Sequence, residues 1–182
     1  MIELLTPSDY RKMRWKNGAG YTLELARSAG EDLAEFDWRI SMADVTTSGA
    51  FSPFNGMQRI LTVLEGEGLA LQVDGEGHTL RSLQSLPFSG DSMVSCELLA
   101  GPIRDFNLIY QPERYAARYQ WIVSHQTTEF LSSADIIFIF NSSLEVLDIR
   151  VEGELFQLEQ QHSLYLHSHQ NVKHILFPSS TL

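Results

Sequence analysis

The chain has 182 residues, 43% of them hydrophobic and 20% charged, with a formal net charge of −10. That length suits one large domain or two small ones, and the acidic balance excludes the basic face that non-specific nucleic-acid or anionic-membrane binding needs. The single cysteine, Cys96, leaves no internal disulfide, Met1-Ile-Glu-Leu-Leu lacks a basic start and a long apolar core, and no run reaches the roughly 18 apolar residues of a membrane span. A soluble cytoplasmic protein is the expectation.

The N-terminus carries a helix signal. Thr6 can cap, Pro7 suits the first helical position and Asp9 can answer the cap from the third, which predicts a short helix from Pro7 to about Met13. Arg14-Trp-Lys-Asn-Gly-Ala-Gly20 follows as a loop. Tyr21 to Arg27 alternates as a strand, with Thr22 and Glu24 on one face. Phe36 to Val45 alternates again, with Phe36, Trp38, Ile40 and Met42 on one face and Arg39, Ser41 and Ala43 on the other.

Ile60 to Leu64 is apolar or β-branched and runs into Glu65-Gly-Glu-Gly68, whose glycines supply the positive φ that a tight hairpin needs. Further strands are predicted at Leu69–Val73, His78–Leu83, Leu86–Phe88, Met93–Leu99 and Arg104–Tyr110. After a link at Gln111–Arg114 come Arg118–Ser124, Ile136–Phe140, Leu144–Val151, Leu155–Leu158, Leu164–Leu166 and Val172–Phe177. Short strands between turns, with almost no helical period, predict an all-β sandwich or barrel. Val73-Asp-Gly-Glu with Leu80 matches Val151-Glu-Gly-Glu with Leu158 at an offset of 78 residues (151 − 73), so a duplicated barrel is the economical reading.

The strand ending Val63-Leu-Glu-Gly-Glu-Gly68 resembles the first motif of the cupin β-barrels. Metal-binding cupins place two histidines and a glutamate just upstream of that strand. Here those positions fall on Pro53, Asn55 and Arg59, none of which can ligate a metal in their place. A permanent positive charge replaces the usual metal site. In the second copy the counterpart of Arg59 falls near Ile136, so that barrel reads as structural.

Trp15-Lys-Asn-Gly-Ala-Gly-Tyr-Thr-Leu-Glu24, Trp38-Arg-Ile-Ser41, Phe51 to Arg59, Phe88-Ser-Gly-Asp91 and Asp105-Phe-Asn107 together resemble the HutD/Ves family. The resemblance covers roughly residues 13 to 110. It implies a bicupin without the metal triad: a cupin-like barrel over 1–112 that carries the pocket, a degenerate one over 113–182, and one short N-terminal helix. It also implies a regulatory link to histidine utilisation, with urocanate or N-formyl- or formimino-glutamate as candidate ligands.

The residues themselves lead to a compatible place. Two arginines on strands of a small barrel each need an anion. Glu24, Asp91 and Asp105 can supply it internally, as a network that fixes strand register. Alternatively Arg59, with Arg39, offers a forked donor to a ligand carboxylate. Asn17, Thr22, Ser41 and Asn107 then bond the ligand's other polar groups, Trp15, Phe51, Phe54 and Phe88 wall the pocket, and Glu24 and Asp91 complete the set. No cofactor is expected, and the partner is a small anionic metabolite. The other functional reading is a metal-independent isomerase or hydrolase using Glu24 or Asp91 as acid or base.

His167-Ser-His169 points two imidazoles one way along a strand, so a metal held with His162 or His174 is a further option. It is set against a surface role for these histidines. Pairing through exposed sheet edges makes a homodimer conceivable.

Overall fold

The computed structural model describes residues 1–15, 20–30, 35–167 and 172–178. Seventeen strands and no helix form among them. In chain order they are β1 (Ile2–Leu5), β2 (Arg11–Arg14), β3 (Tyr21–Arg27), β4 (Trp38–Val45), β5 (Gly49–Ala50) and β6 (Gln58–Glu65). Then come β7 (Leu69–Val73), β8 (Glu76–Leu80), β9 (Ser85–Ser89), β10 (Val94–Leu98) and β11 (Ile103–Tyr110). The second half holds β12 (Glu129–Ser132), β13 (Ile136–Phe140), β14 (Leu147–Val151), β15 (Glu154–Leu158), β16 (Ser163–His167) and β17 (Lys173–Leu176).

The strands fall into two compact units, Tyr10–Tyr119 and Met1–Asp9 with Gln120–Leu182. In the first unit a six-stranded sheet of order β2-β3-β4-β11-β6-β9 accompanies a four-stranded sheet of order β5-β10-β7-β8. Its core joins Leu61 and Val63 of β6 to Leu69 and Leu71 of β7, Leu80 of β8 and Val94 and Cys96 of β10. Leu61, Leu69 and Leu71 are wholly buried, each contributing about 2 kcal/mol of apolar burial. Gly68, at φ 114°, makes the β6–β7 turn possible, since a Cβ there would lie 2.2 Å from the Leu80 carbonyl oxygen.

The other unit contains the sheets β12-β17-β14-β15 and β1-β16-β13. Its core is Ile149, Val151, Leu158, Leu164, Leu166, Ile175 and Phe177. Its strands repeat those of the first unit. Leu69–Val73 and Glu76–Leu80 recur as Leu147–Val151 and Glu154–Leu158, an offset of 78 residues (147 − 69), and Ser85–Ser89 recurs as Ser163–His167 at the same offset (163 − 85). The orders β5-β10-β7-β8 and β12-β17-β14-β15 are the same order in successive copies, and β13 pairs β16 as β6 pairs β9. Both hairpin turns put two residues at positive φ, Asp74 with Gly75 and Glu152 with Gly153.

The predicted N-terminal helix does not form. Its capping interactions do: Asp9 Oδ2 accepts from the Thr6 backbone N–H and from Thr6 Oγ1, both at 2.8 Å, and Asp9 N–H donates to the Thr6 carbonyl at 2.9 Å. They close a single turn, which is not propagated because strand pairing takes the flanking residues. β1 pairs with β16, and Arg11–Arg14 pairs with Tyr21–Glu24 of β3. One turn is costly to nucleate and gains little without further turns, whereas sheet pairing satisfies every second backbone group on both sides. Arg118–Thr127 also holds no strand, and the unpredicted β12 follows it.

Candidate functional site

Strand alternation sends one face of the six-stranded sheet into a cavity of about 630 Å³ in the first unit. Register then aligns its residues in rows. Ile109 of β11 lies between Arg39 of β4 and Arg59 of β6. The next row is Glu24, Ser41, Asn107 and Leu61, and the one after it Thr22, Ala43, Asp105 and Val63. A β-bulge between Glu24 and Ala26 keeps Glu24 opposite Ser41 and brings Arg27 opposite Arg39. The two arginines therefore stand two strands apart, roughly 10 Å at the backbone.

Arg59 is only 5% exposed. Its Nε–H donates to Asn107 Oδ1 at 2.8 Å, and its guanidinium carbon lies 4.8, 5.7 and 5.5 Å from the ring centroids of Phe51, Phe54 and Phe88. Among the described residues neither Nη nitrogen has a hydrogen-bond partner and no carboxylate forms an ion pair with the side chain. Burial pulls its pKa down to about 10, a fall that Asp105 moderates and Arg39 deepens. Half-buried Arg39 lies against the Phe36 and Phe54 rings at 5.0 and 5.3 Å. Burial lowers its pKa as well, opposed by Glu24 and reinforced by Arg27. Its Nε and the Glu24 Oε2 are both buried without a hydrogen-bond partner.

Phe54 is held in place by the backbone. Its N–H donates to the Gly90 carbonyl and Gly90 N–H donates to Met57, both at 2.8 Å. A Cβ at Gly90 would lie 2.1 Å from the Phe54 carbonyl oxygen, so only glycine lets the two segments approach this closely. Trp15 closes another side, its Nε1–H donating to Thr22 Oγ1 at 3.0 Å.

Asp105, on the cavity-facing side of β11, is 2% exposed, and its Oδ1 accepts the Ala43 N–H at 3.0 Å. Burial pushes its pKa up to about 6; the Arg59 charge and hydrogen bonds from Asn107 and Ala43 pull against that rise, and Asp44 adds to it. Cys96 also lines the cavity, its thiol pKa raised chiefly by burial, which keeps it protonated and a poor nucleophile at neutral pH.

Of the residues singled out in the sequence, Trp15, Thr22, Arg39, Ser41, Phe51, Phe54, Arg59 and Asn107 line this one cavity. Phe88 backs Arg59, and Glu24 sits on the same face just beyond the lining. Asn17 lies outside the described residues. Asp91 is elsewhere: it is exposed, accepts the Gly56 N–H at 3.1 Å and bonds Ser89, which fixes the turn after Phe54. Arg14, Ser48, Ser52 and Cys96 are lining residues that sequence reasoning passed over. The alternation of Val94 and Cys96 into the core was the available signal for the last.

The histidines are dispersed. His174 is exposed and bonds Glu129 Oε2 at 2.8 Å, His162 is 4.0 Å from Glu159 on a turn, and His167 ends β16 beside the Tyr165 ring. His169 lies outside the described residues. Among those described, no three His, Cys, Asp or Glu side chains are grouped to hold a metal ion, and no histidine lines the cavity. The arrangement is thus an aromatic-walled pocket with polar groups on one sheet face and a forked cation whose Nη groups are unpartnered among the described residues, a geometry that can hold a planar anion.

The HutD family matches residues 7–180. The chain is 50% identical over 146 residues to an uncharacterized 21.2 kDa protein in the hutC 3′ region of Pseudomonas putida, covering 80% of this chain and 76% of that one. It is 34% identical over 145 residues to protein Ves of Escherichia fergusonii, covering 77% and 75%. The solved structure of HutD from Pseudomonas fluorescens SBW25, in a formate condition, superposes with a TM-score of 0.84 at 42% identity, over 97% of this chain and 94% of that one. The family match and the superposition span nearly the whole chain and the sequence identities about four fifths of it, and the chain belongs to the HutD family.

Proposed function

We propose that the cavity of the first unit binds a small carboxylate-bearing metabolite, and that the protein acts as a sensor or regulator linked to histidine utilisation. The observation that carries this reading is Arg59: a buried guanidinium with both Nη groups unpartnered among the described residues, under three phenyl rings. A charge buried without an answering anion is costly, and an arriving carboxylate offsets that cost through two parallel N–H···O bonds. Ser41 and Thr22 supply further hydrogen bonds, and Arg39 a second cation.

A volume of about 630 Å³ is within the range of small-molecule sites and admits urocanate or formyl- or formimino-glutamate. The position of the Pseudomonas putida relative in the hutC 3′ region supports the pathway. The repeated strand order supports a bicupin whose second copy has lost the site, since Ile137, packed against the second core, stands where the offset of 78 carries Arg59 (137 − 59).

A thermal-shift screen of small carboxylic acids tests the proposal, with formate as the first probe. An acid at about 100 times its dissociation constant stabilises the fold by roughly 2.7 kcal/mol, a rise of about 5–10 °C. The shift is expected in the wild type and absent in Arg59→Met. An equal shift in both, or none with any acid, counts against it. A second reading, a metal-independent enzyme acting on a small acid, is favoured by Asp105, whose pKa near 6 inside the cavity suits a general acid or base. Turnover of a bound acid, lost in Asp105→Asn, would establish it.

A further inference from the structure

The cavity holds a second buried charge, which carboxylate binding must also accommodate. Asp105 and Asn107 share one face of β11, and Asn107 stands between Asp105 and the arginine: its side chain pulls the Asp105 pKa down, while its Oδ1 accepts the Arg59 Nε–H at 2.8 Å. Asp105 and Arg59 make no direct ion pair, yet each feels the other's charge as the strongest electrostatic partner.

The groups around Asp105 are few. Arg59 acts from β6, and the protonated Cys96 thiol faces it from β10. From β4, Asp44 lies on the opposite face, held by Arg104 of β11 at 2.7 Å. Glu24 of β3 and Arg39 of β4 lie in neighbouring rows, where Glu24 acts on Arg39.

Resting on the carboxylate site described above, we propose that Asp105 is a second binding determinant: it takes up one proton as a carboxylate settles beside Arg59, so the cavity admits anion and proton together. One buried guanidinium cannot answer two carboxylates, and when two share a site the pKa of one of them is strongly raised, which favours its neutral form. Asp105 is the easier to protonate, since burial, even against the pull of Arg59, Asn107 and Ala43, already holds its pKa near 6 in the empty cavity. The proton comes from solvent and no bond in the ligand changes. Arg59 stays cationic throughout, and the neutral Asp105 keeps its Oδ1 for the Ala43 N–H.

The coupling predicts a defined pH dependence. Below about pH 6 the empty site is already protonated at Asp105 and affinity is flat; above it, affinity falls about tenfold per pH unit. Dissociation constants for formate, followed by two-dimensional NMR of the full chain at fixed ionic strength, should weaken on the order of 50-fold between about pH 6 and about pH 8. Asp105→Asn, which mimics the protonated side chain, should bind formate independently of pH and about as tightly as the wild type does near pH 6. Calorimetric titration of the wild type in two buffers of different ionisation enthalpy counts the proton without any variant, and should give close to one per formate above pH 7. A dissociation constant that does not change over this range, with no proton uptake, overturns the coupling and leaves the carboxylate site standing. If neither formate nor acetate binds the wild type at any pH, both fall.

Discussion

Replacing Arg59 with methionine separates a binding residue from a structural one. At neutral pH a guanidinium whose pKa has fallen to about 10 carries a net cost of about 3 kcal/mol in this site, chiefly from burial. Methionine removes that cost, retains most of the stem's packing and makes sulfur–aromatic contacts worth roughly 0.3–1.5 kcal/mol each with Phe51, Phe54 and Phe88. Against this stand the lost cation–π attraction, on the order of 1–2 kcal/mol per desolvated ring, an Asn107 oxygen left without its donor, about 1–2 kcal/mol, and an Asp105 that loses its strongest electrostatic partner and takes up a proton instead. The terms nearly cancel, so the ligand-free variant should lie within about 1.5 kcal/mol of the wild type. Equilibrium urea unfolding, read through the fluorescence of Trp15, Trp38 and Trp121, measures the difference. A loss of about 3–5 kcal/mol is what breaking a buried ion pair costs, and would show that an internal partner already answers Arg59.

Two other outcomes follow from the same geometry. Asn107→Ala strips the acceptor from Arg59 Nε and removes the side chain that holds the Asp105 pKa down, and should cost about 1–3 kcal/mol of stability while weakening formate binding in NMR titration. The ligand-free protein should also show Asp105 in its stability profile. Its folded pKa, about 6, lies above its ordinary value of 3.8, so the folded state holds the extra proton between the two. The stabilisation is fully present below about pH 4 and lost as pH rises through 6, about 3 kcal/mol in all. Urea unfolding of Asp105→Asn at several pH values should therefore gain on the wild type across that window, and parallel curves would refute it.

The site was more legible in the sequence than the chain's ends were. Alternation in Trp38–Val45 put Arg39 and Ser41 on one face, and the Asp105-Phe-Asn107 spacing put both polar residues on another; cross-strand register needed only to bring these faces together. The hairpin repeat was equally visible, because Asp74-Gly75 and Glu152-Gly153 are turn chemistry that local sequence dictates. The N-terminus misled for the opposite reason. Thr6 to Asp9 carries a genuine local signal, realised in its hydrogen bonds, but β1 is made a strand by β16, far along the chain, which no local pattern announces, and β2 by its pairing with the neighbouring β3. Asp91 and Asp105 were equal candidates by residue type. Burial separates them, one capping an exposed turn and the other buried in the cavity wall, and burial is a property of the assembled sheets.

A crystal of the protein soaked in formate or acetate tests the central claim most directly. The carboxylate oxygens should lie about 2.7–2.9 Å from the Arg59 Nη atoms, between the Phe51 and Phe54 rings. A carboxylate bound anywhere else, or Arg59 turned onto a protein carboxylate with the cavity left to water, would contradict it.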